Sequence, residues 1–340
     1  MDTHYMQRAL ELAERGRGSV SPNPVVGCVV VHNGTIIGEG WHRQYGGPHA
    51  EVDAVHSVSD ANLGYLAQST VYVTLEPCAH HGKTPPCADL LVAKNVRKVV
   101  VASLDTNPLV GGKGIERLRN AGIEVVVGVR EAEARWQNRR FFTFTEKQRP
   151  YVVLKWAQTA DGFIARENHD SRWISNDLSR RLVHQWRGQE DAVMVGTNTA
   201  HHDNPRLNVR DWTGRNPVRI VVDRHLRLSP SLHLFDQSQD TICYNLHKDE
   251  TDGAVRFVKC AEASPAEIAA DLYRRKLQSV LVEGGAWLLQ QWIDAGLWDE
   301  IRVFGSPQTF GAGIRAPRFG GQLLQSEDVA GDRLEVFLPA

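Results

Sequence analysis

His49-Ala50-Glu51, followed by Pro77-Cys78-Ala79-His80-His81-Gly82-Lys83-Thr84-Pro85-Pro86-Cys87, is the stretch whose reading decides this chain. One imidazole and two thiols make a donor set suited to Zn²⁺, and three protein ligands leave a fourth tetrahedral position for water. Zinc lowers the pKa of bound water from about 15.7 to about 7, so hydroxide becomes available at neutral pH. Glu51 lies two residues past the histidine, poorly placed as a further ligand but within reach of such a water. The spacing therefore reads as His49, Cys78 and Cys87 holding zinc while Glu51 moves a proton. His-x-Glu alone is a weak signal; joined to Pro77-Cys78 and a second cysteine it becomes specific. A closed structural zinc site, with His80 or His81 as fourth ligand, would have no use for Glu51. A Cys78–Cys87 disulfide would need an oxidising compartment, to which nothing else in the chain points.

The logic of a metal-activated water beside a glutamate is that of the zinc deaminases of nucleobases. The spacing here departs from their general Cys-x-x-Cys pattern, because eight residues separate Cys78 from Cys87.

The rest of the chain sets the context. A length of 340 residues suggests two domains, divided as 1–147 and 148–340. A hydrophobic fraction of 42% and a charged fraction of 23% are ordinary for a globular protein. The formal charge of -1, with no basic stripe laced with aromatics, argues against nucleic acid or an anionic membrane as partner. The odd count of five cysteines points to a reducing compartment, and no run approaches the ~18 apolar residues of a membrane span. No signal peptide is apparent, and the expected location is the cytoplasm. Cys28, Cys243 and Cys260 read as small core residues.

Outward from the motif, the first half predicts a helix over 2–17 and a strand over 25–31 closed by the hairpin signal Asn33-Gly34. A helix begins at His49, a strand covers 70–75, and a helix covers 87–94 behind Pro85-Pro86. Strands over 99–103 and 124–127 flank a helix over 115–120, which gives a three-layer α/β domain. Metal ligands at helix starts would be favoured as thiolates. Asn23, held between Pro22 and Pro24, can meet a pyrimidine edge or simply form a turn. Asp105-Thr106-Asn107-Pro108 reads as a turn or a pocket wall.

In the second half, a charged, aromatic stretch over 131–149 ends at Pro150 and the pattern restarts. Strands are expected over 151–156, 192–196, 217–223, 241–244, 280–283 and 301–304, the last being the final core strand. Helices over 177–185, 265–276 and 286–295 alternate with them, implying a largely parallel sheet. Glu283-Gly284-Gly285-Ala286 sits at a strand-to-helix junction, where backbone amides can approach an anion, although it lacks the G-x-G-x-x-G spacing. Asp203 to Arg210 forms a polar loop whose Arg206 and Arg210 can fork onto a phosphate. Ser171-Arg172-Trp173-Ile174-Ser175 adds a hydroxyl and a flat aromatic surface. Together these describe one cleft for a phosphate-bearing cofactor and a substrate.

On these residues the chain resembles the bifunctional riboflavin-biosynthesis deaminase/reductase family. The resemblance rests on Pro22-Asn23-Pro24-x-Val26-Gly27, His49-Ala50-Glu51, Pro77 to Cys87 and Asp105-x-Asn107-Pro108 in the first half. In the second it rests on Leu154-Lys155-x-Ala157, Asp161-Gly162, Trp173-Ile174-Ser175, Asp203-x-Pro205-x-Leu207, Arg210 and Val282-Glu283-Gly284-Gly285. It implies a cytidine-deaminase-like three-layer domain followed by a dihydrofolate-reductase-like α/β domain. The first would remove the ring amine of 2,5-diamino-6-(5-phosphoribosylamino)pyrimidin-4-one with zinc, and the second would reduce the ribosyl group to ribityl with NADPH. By analogy Asn23, His42, His80 and Lys83 would line the first pocket. Ser171, Arg187, Leu207, Arg210 and Glu283 would contact the second substrate. Ala157, Trp173, Thr199, Asp203, Arg224, Gly285, Ala286, Trp287, Leu288 and Leu289 would hold NADPH. Lys155 and Asp203 would act as catalytic residues that place the ribose and nicotinamide. The partner so implied is a small phosphorylated pyrimidine, and the chain is expected to form a dimer or tetramer.

Departures from the family pattern fall in the reductase half: Ala160 before Asp161, Asn204 after Asp203, and Arg224 where a small residue is typical. Two rivals remain at this point. One is a nucleoside or RNA deaminase fused to an unrelated reductase. The other is a catalytically silent binding module stabilised by zinc.

Overall fold

Valine-rich runs buried on both faces dominate the chain, so each half must build a sheet covered on two sides. The computed structural model describes all residues except 80–84, 108–110 and 172–173. It divides into two units, Met1–Gln148 and Arg149–Ala340.

The first unit runs α1 (Asp2–Glu14), β1 (Gly27–His32), β2 (Thr35–Trp41), α2 (Ala50–His56), β3 (Thr70–Leu75), α3 (Cys87–Ala93), β4 (Lys98–Ser103), α4 (Lys113–Asn120), β5 (Glu124–Val127), α5 (Glu131–Gln137) and α6 (Arg139–Lys147). Its sheet has the order β2-β1-β3-β4-β5, antiparallel through β2, β1 and β3 and parallel from β3 to β5. Alternate residues of a strand face opposite sides. Cys28, Val30, Val71, Val73, Val99 and Val101 accordingly pack with Ala54, Leu91 and Leu118 of α2, α3 and α4. Their neighbours Val29, Val31, Tyr72, Val100 and Ala102 pack with Met6, Leu10 and Ala134 of α1 and α5. The result is three layers.

Asn33 and Gly34 both take positive φ, 47° and 79°, in the hairpin between β1 and β2. The first helix closes at Glu14, a turn earlier than the expected 2–17, because the backbone tightens there into three-residue turns, Arg15 on Leu12, Gly16 on Ala13 and Arg17 on Glu14, before Gly18 takes φ of 82°. The stretch 131–149 holds two helices that hydropathy did not announce. Phe141 and Phe142 pack on Leu75, the last residue of β3, and so support the chain just before Cys78.

The second unit runs β6 (Tyr151–Gln158), β7 (Phe163–Ala165), α7 (Asp177–Gln189), β8 (Ala192–Gly196), α8 (Thr197–Asp203), β9 (Val218–Val222), β10 (Thr241–Asn245), β11 (Glu250–Asp252), β12 (Val255–Lys259), α9 (Pro265–Arg274), β13 (Ser279–Gly284), α10 (Ala286–Asp294), β14 (Glu300–Gly305), β15 (Ile314–Arg315), β16 (Gln322–Val329) and β17 (Asp332–Leu338). The large sheet has the order β11-β12-β10-β9-β8-β13-β6-β14-β17-β16. It is parallel from β12 to β14 and antiparallel at its ends.

Two expectations need correction here. The strand at 301–304 is not the last, since β16 and β17 form a hairpin beyond it, with Leu334 and Val336 alternating into the core. Asp203 does not open a loop; it ends α8, and the loop begins at Asn204, whose φ is 40°. Where this unit begins, Arg149 grips Asp299 through Nη1 at 2.5 Å and Nη2 at 2.7 Å, and the Val152 amide donates to the same carboxylate at 2.9 Å.

Candidate active sites

In the first unit, β3 carries the chain to Cys78, α3 opens on Cys87, and α2 begins just after His49. The His49 Nδ1 lies 3.6 Å from Cys78 Sγ and 3.3 Å from Cys87 Sγ, and the three ligand atoms fall within 4.8 Å of one another. A tetrahedral zinc with Zn–N of about 2.0 Å and Zn–S of about 2.3 Å sets an N···S edge of about 3.5 Å. The donor set fits the ion in chemistry and in spacing.

Glu51 sits in the first turn of α2 and is 4% exposed. In the protein alone, burial and the neighbouring Cys78 thiolate push its carboxyl up to about 7, against the pull of His49. A bound dication would draw it back down. The two thiols share a proton: hydrogen bonding from Cys87, with His49 as a further donor, holds Cys78 low, at about 4, and Cys87 is correspondingly raised. Metal would hold both as thiolates.

His42 donates from Nδ1 to the Pro48 carbonyl at 2.8 Å, which leaves Nε2 to accept from the Asn23 amide at 3.1 Å. Its ring meets that of His49 edge-on at 5.5 Å, and burial lowers its pKa. Asn23 and His42 are thus brought together beside His49. His80 and Lys83 lie outside the described residues. The Asp105 carboxylate accepts from the Asn107 amide at 2.7 Å, which is a local turn.

In the second unit, a cavity of about 930 Å³ opens at the carboxyl ends of β6, β8, β9 and β13, where ligands of open α/β sheets bind. Lys155, Ala157, Ser171, Arg187, Asp203, Leu207 and Arg210 line it. Thr199, Arg224 and Glu283 line it too, as do Gly285, Ala286, Trp287, Leu288 and Leu289 at the start of α10. Trp173 and Arg172 lie outside the described residues, and Arg206 is exposed and not part of the lining. Asp161 serves elsewhere, accepting from the Phe310 and Gly311 amides and from Thr159.

Arg187 and Glu283 form a two-pronged ion pair at 2.6 Å on each prong, almost out of solvent. Burial works to raise the Glu283 carboxyl, but Arg187 more than offsets it and holds the group below the usual carboxylate range. Lys155 opens onto the cavity yet lies deep enough that burial lowers its ammonium pKa, with Glu283 opposing. Ser171 donates to Asp203 at 3.3 Å. The Arg224 guanidinium lies over the Trp287 indole at 4.8 Å, and its Nε is buried with no hydrogen-bond partner among the described residues. An orphaned donor in a cleft lined also by Arg180 and Arg227 fits a ligand rich in phosphate.

Residue-type reasoning missed Arg180, His184 and Arg227, which line the same cavity. The first two were findable: Arg180, His184 and Arg187 stand four and three residues apart on α7, hence on one face. Glu76, at the end of β3, was also missed.

Against known proteins, residues 1–103 match the cytidine and deoxycytidylate deaminase zinc-binding region, and residues 150–336 match the RibD C-terminal domain. The riboflavin biosynthesis protein RibD of Aquifex aeolicus is 41% identical over 321 residues, covering 92% of this chain and 89% of its own length. That of Escherichia coli K12 is 37% identical over 334 residues, covering 92% and 90%. A crystal structure from Thermotoga maritima, described as a diaminohydroxyphosphoribosylaminopyrimidine deaminase/5-amino-6-(5-phosphoribosylamino)uracil reductase, superposes with a TM-score of 0.92 at 39% identity, over 100% of this chain and 99% of that one. The two-part fold expected from the sequence is the one observed. With identity at this level along nearly the whole length, the chain belongs to the RibD family of riboflavin-biosynthesis enzymes, which join a deaminase and a reductase in one polypeptide.

Proposed function

We propose that residues 1–147 deaminate 2,5-diamino-6-(5-phosphoribosylamino)pyrimidin-4-one and that residues 148–340 then reduce its ribosyl group to ribityl. The observation that carries the first step is a His-Cys-Cys donor set of zinc dimensions beside a buried carboxylate. Zinc held by His49, Cys78 and Cys87 supplies Lewis acidity that makes water nucleophilic near neutral pH. Glu51 accepts the proton of the attacking water and returns it to the departing amine, one group serving as base and then acid. Asn23, fixed by His42, presents its carboxamide to the pyrimidine edge, and the family resemblance assigns His80 and Lys83 to the same substrate.

In the second step NADPH supplies the hydride, and the protein supplies orientation and charge. Arg210 receives the substrate phosphate, with Ser171, Leu207 and the Arg187–Glu283 pair shaping that end of the cleft. Lys155 and Asp203 place the ribose against the nicotinamide. Ala157, Trp173, Thr199, Arg224 and the turn from Gly285 to Leu289 hold the dinucleotide. The excess of arginine over carboxylate in the cleft supports two phosphorylated ligands.

The chain works on a small molecule, as its relatives do. We place it in the cytoplasm: its five cysteines are unpaired, as a reducing compartment requires, and no helix of the described residues is long and apolar enough to cross a membrane. Homo-oligomerisation is supported by the open sheet edge at β16, where Leu323 and Leu324 are 50% and 48% exposed.

The test is a coupled assay with freshly made substrate, following ammonia release and NADPH oxidation together. Both signals, the second dependent on the first, are expected. Ammonia alone would confine activity to the zinc half and point to Ala160, Asn204 and Arg224. Neither signal from zinc-loaded protein would overturn the substrate assignment.

A further inference from the structure

The segment that brings Cys78 into place is held from outside the zinc motif. The Glu76 side chain, 4% exposed, turns away from the metal ligands toward the start of α4. Its Oε1 accepts from the Gly114 amide at 2.9 Å and the Ile115 amide at 3.3 Å. Its Oε2 accepts from Gly112 at 3.0 Å and from Asp105 at 3.3 Å. One carboxylate thus gathers four backbone donors from the start of a helix and the loop before it. The next residue is pinned as well: a Cβ on Gly114 would stand 1.9 Å from the Pro77 carbonyl oxygen, so only glycine lets α4 close on this segment.

Helix α4 reaches further along the same loop. Arg117 donates from Nη1 to the Ala79 carbonyl at 3.5 Å and pairs through Nε with Asp89 of α3, the helix that opens on Cys87. Between the two ligand segments, Ala88 donates to the Cys78 carbonyl at 3.1 Å and Cys87 donates its amide to Cys78 Sγ at 3.3 Å. Contacts at 76, 77, 79 and 89 therefore tie one helix to both cysteine-bearing stretches.

We infer that α4 is a bracket that presets the separation of the two thiolates, and that Glu76 is the positioning residue that locks the Cys78 segment onto it. This rests on His49, Cys78 and Cys87 being the zinc ligands. A preset pair binds metal without first ordering its own loop, so the bracket governs how firmly zinc is kept. Glu76 touches neither metal nor substrate.

The experiment uses the full-length, zinc-loaded protein. Zinc release into excess chelator is followed with a zinc-responsive dye, and the thiolate-to-metal absorption is recorded after cobalt(II) replacement. Glu76→Gln should release zinc about 10–100-fold faster, the usual penalty for losing a group that orients a ligand, and should shift the cobalt bands. Arg117→Ala, at a half-exposed position that does not open the core, should accelerate release by a smaller factor. Glu116→Gln, exposed on the same helix, should change nothing. A folded Glu76→Gln protein with lowered thermal stability but unmoved release rate and cobalt spectrum would make Glu76 a helix cap only and overturn the inference. If that variant does not fold, unchanged release from Arg117→Ala overturns it instead. Wild-type protein that retains no zinc would overturn the ligand assignment along with it.

Discussion

The zinc site and the reductase cleft solve the same problem, holding a small polar molecule against a reactive group, with opposite economies of sequence. The first draws its donor set and the proposed proton carrier Glu51 from 39 residues, 49 to 87, and sets the three donor atoms within 4.8 Å of one another. The second collects its lining from the ends of four strands and from α7, α8 and α10, between Lys155 and Ile314, around one open cavity. A compact motif concentrates risk in single atoms, whereas a dispersed cleft spreads it over many weak contacts. Single substitutions should therefore be close to all-or-none in the first site and graded in the second.

The largest effect should come from Glu51→Gln. Loss of one general acid/base group costs about 10²–10⁴-fold in rate. Ammonia release should fall by that much while zinc content and reduction of already deaminated substrate hold. Unimpaired ammonia release would break the comparison at its stronger end.

Arg187→Ala should be the most severe change in the cleft. It leaves Glu283 buried without its partner, and breaking a buried pair costs about 3–5 kcal/mol. The expected readout is lowered thermal stability and a sharply raised KM for reduction, with deamination unaffected. Equal loss in both activities would contradict separate sites.

Arg224→Ala should be milder. A hydrogen bond to a charged group is worth about 1.5–3 kcal/mol. NADPH binding, read by Trp287 fluorescence or calorimetry, should weaken by roughly 10–100-fold on that basis. Unchanged affinity would remove Arg224 from the cofactor site.

The smallest effect is on pH. Burial, with the nearby Arg187 and Arg210, lowers the His184 imidazole to about 4, against an ordinary value of 6.5. Between those two values the unfolded chain holds a proton there that the folded chain does not. Stability therefore falls as pH drops through that window, by on the order of 1–2 kcal/mol once the full shift of about 3 kcal/mol is discounted for solvent screening in the open cleft. His184→Asn should flatten this part of the curve; an unaltered slope would show that other groups set it.

The same contrast explains what the sequence disclosed. His49, Cys78 and Cys87 were legible because metal coordination restricts both residue type and spacing, and the structure brings them together. The lining of the cleft was legible mainly through resemblance, since an arginine in a loop carries no mark of where it points. Arg210 faces the cavity and Arg206, four residues earlier, does not. The alternating strands of both sheets followed from valine-rich runs. The helices over 131–147 did not, because adjacent Phe141 and Phe142 and dense charge blur the period of 3.6. The hairpin of β16 and β17 escaped because seven of the eight residues of β16 are exposed, leaving no buried stripe to read. Glu76 escaped for a different reason: its partners are backbone amides, which every sequence possesses.

The grip of Arg149 on Asp299 also decides where this polypeptide can be cut. Asp299 has a side chain only 7% exposed and takes its charge partner from the first residue of the second unit. A fragment beginning at Arg149 keeps that partner; one beginning at Pro150 keeps the Val152 amide on the buried carboxylate but loses its arginine. Anyone dividing the gene into two separately expressed enzymes must therefore start the second one no later than the Arg149 codon.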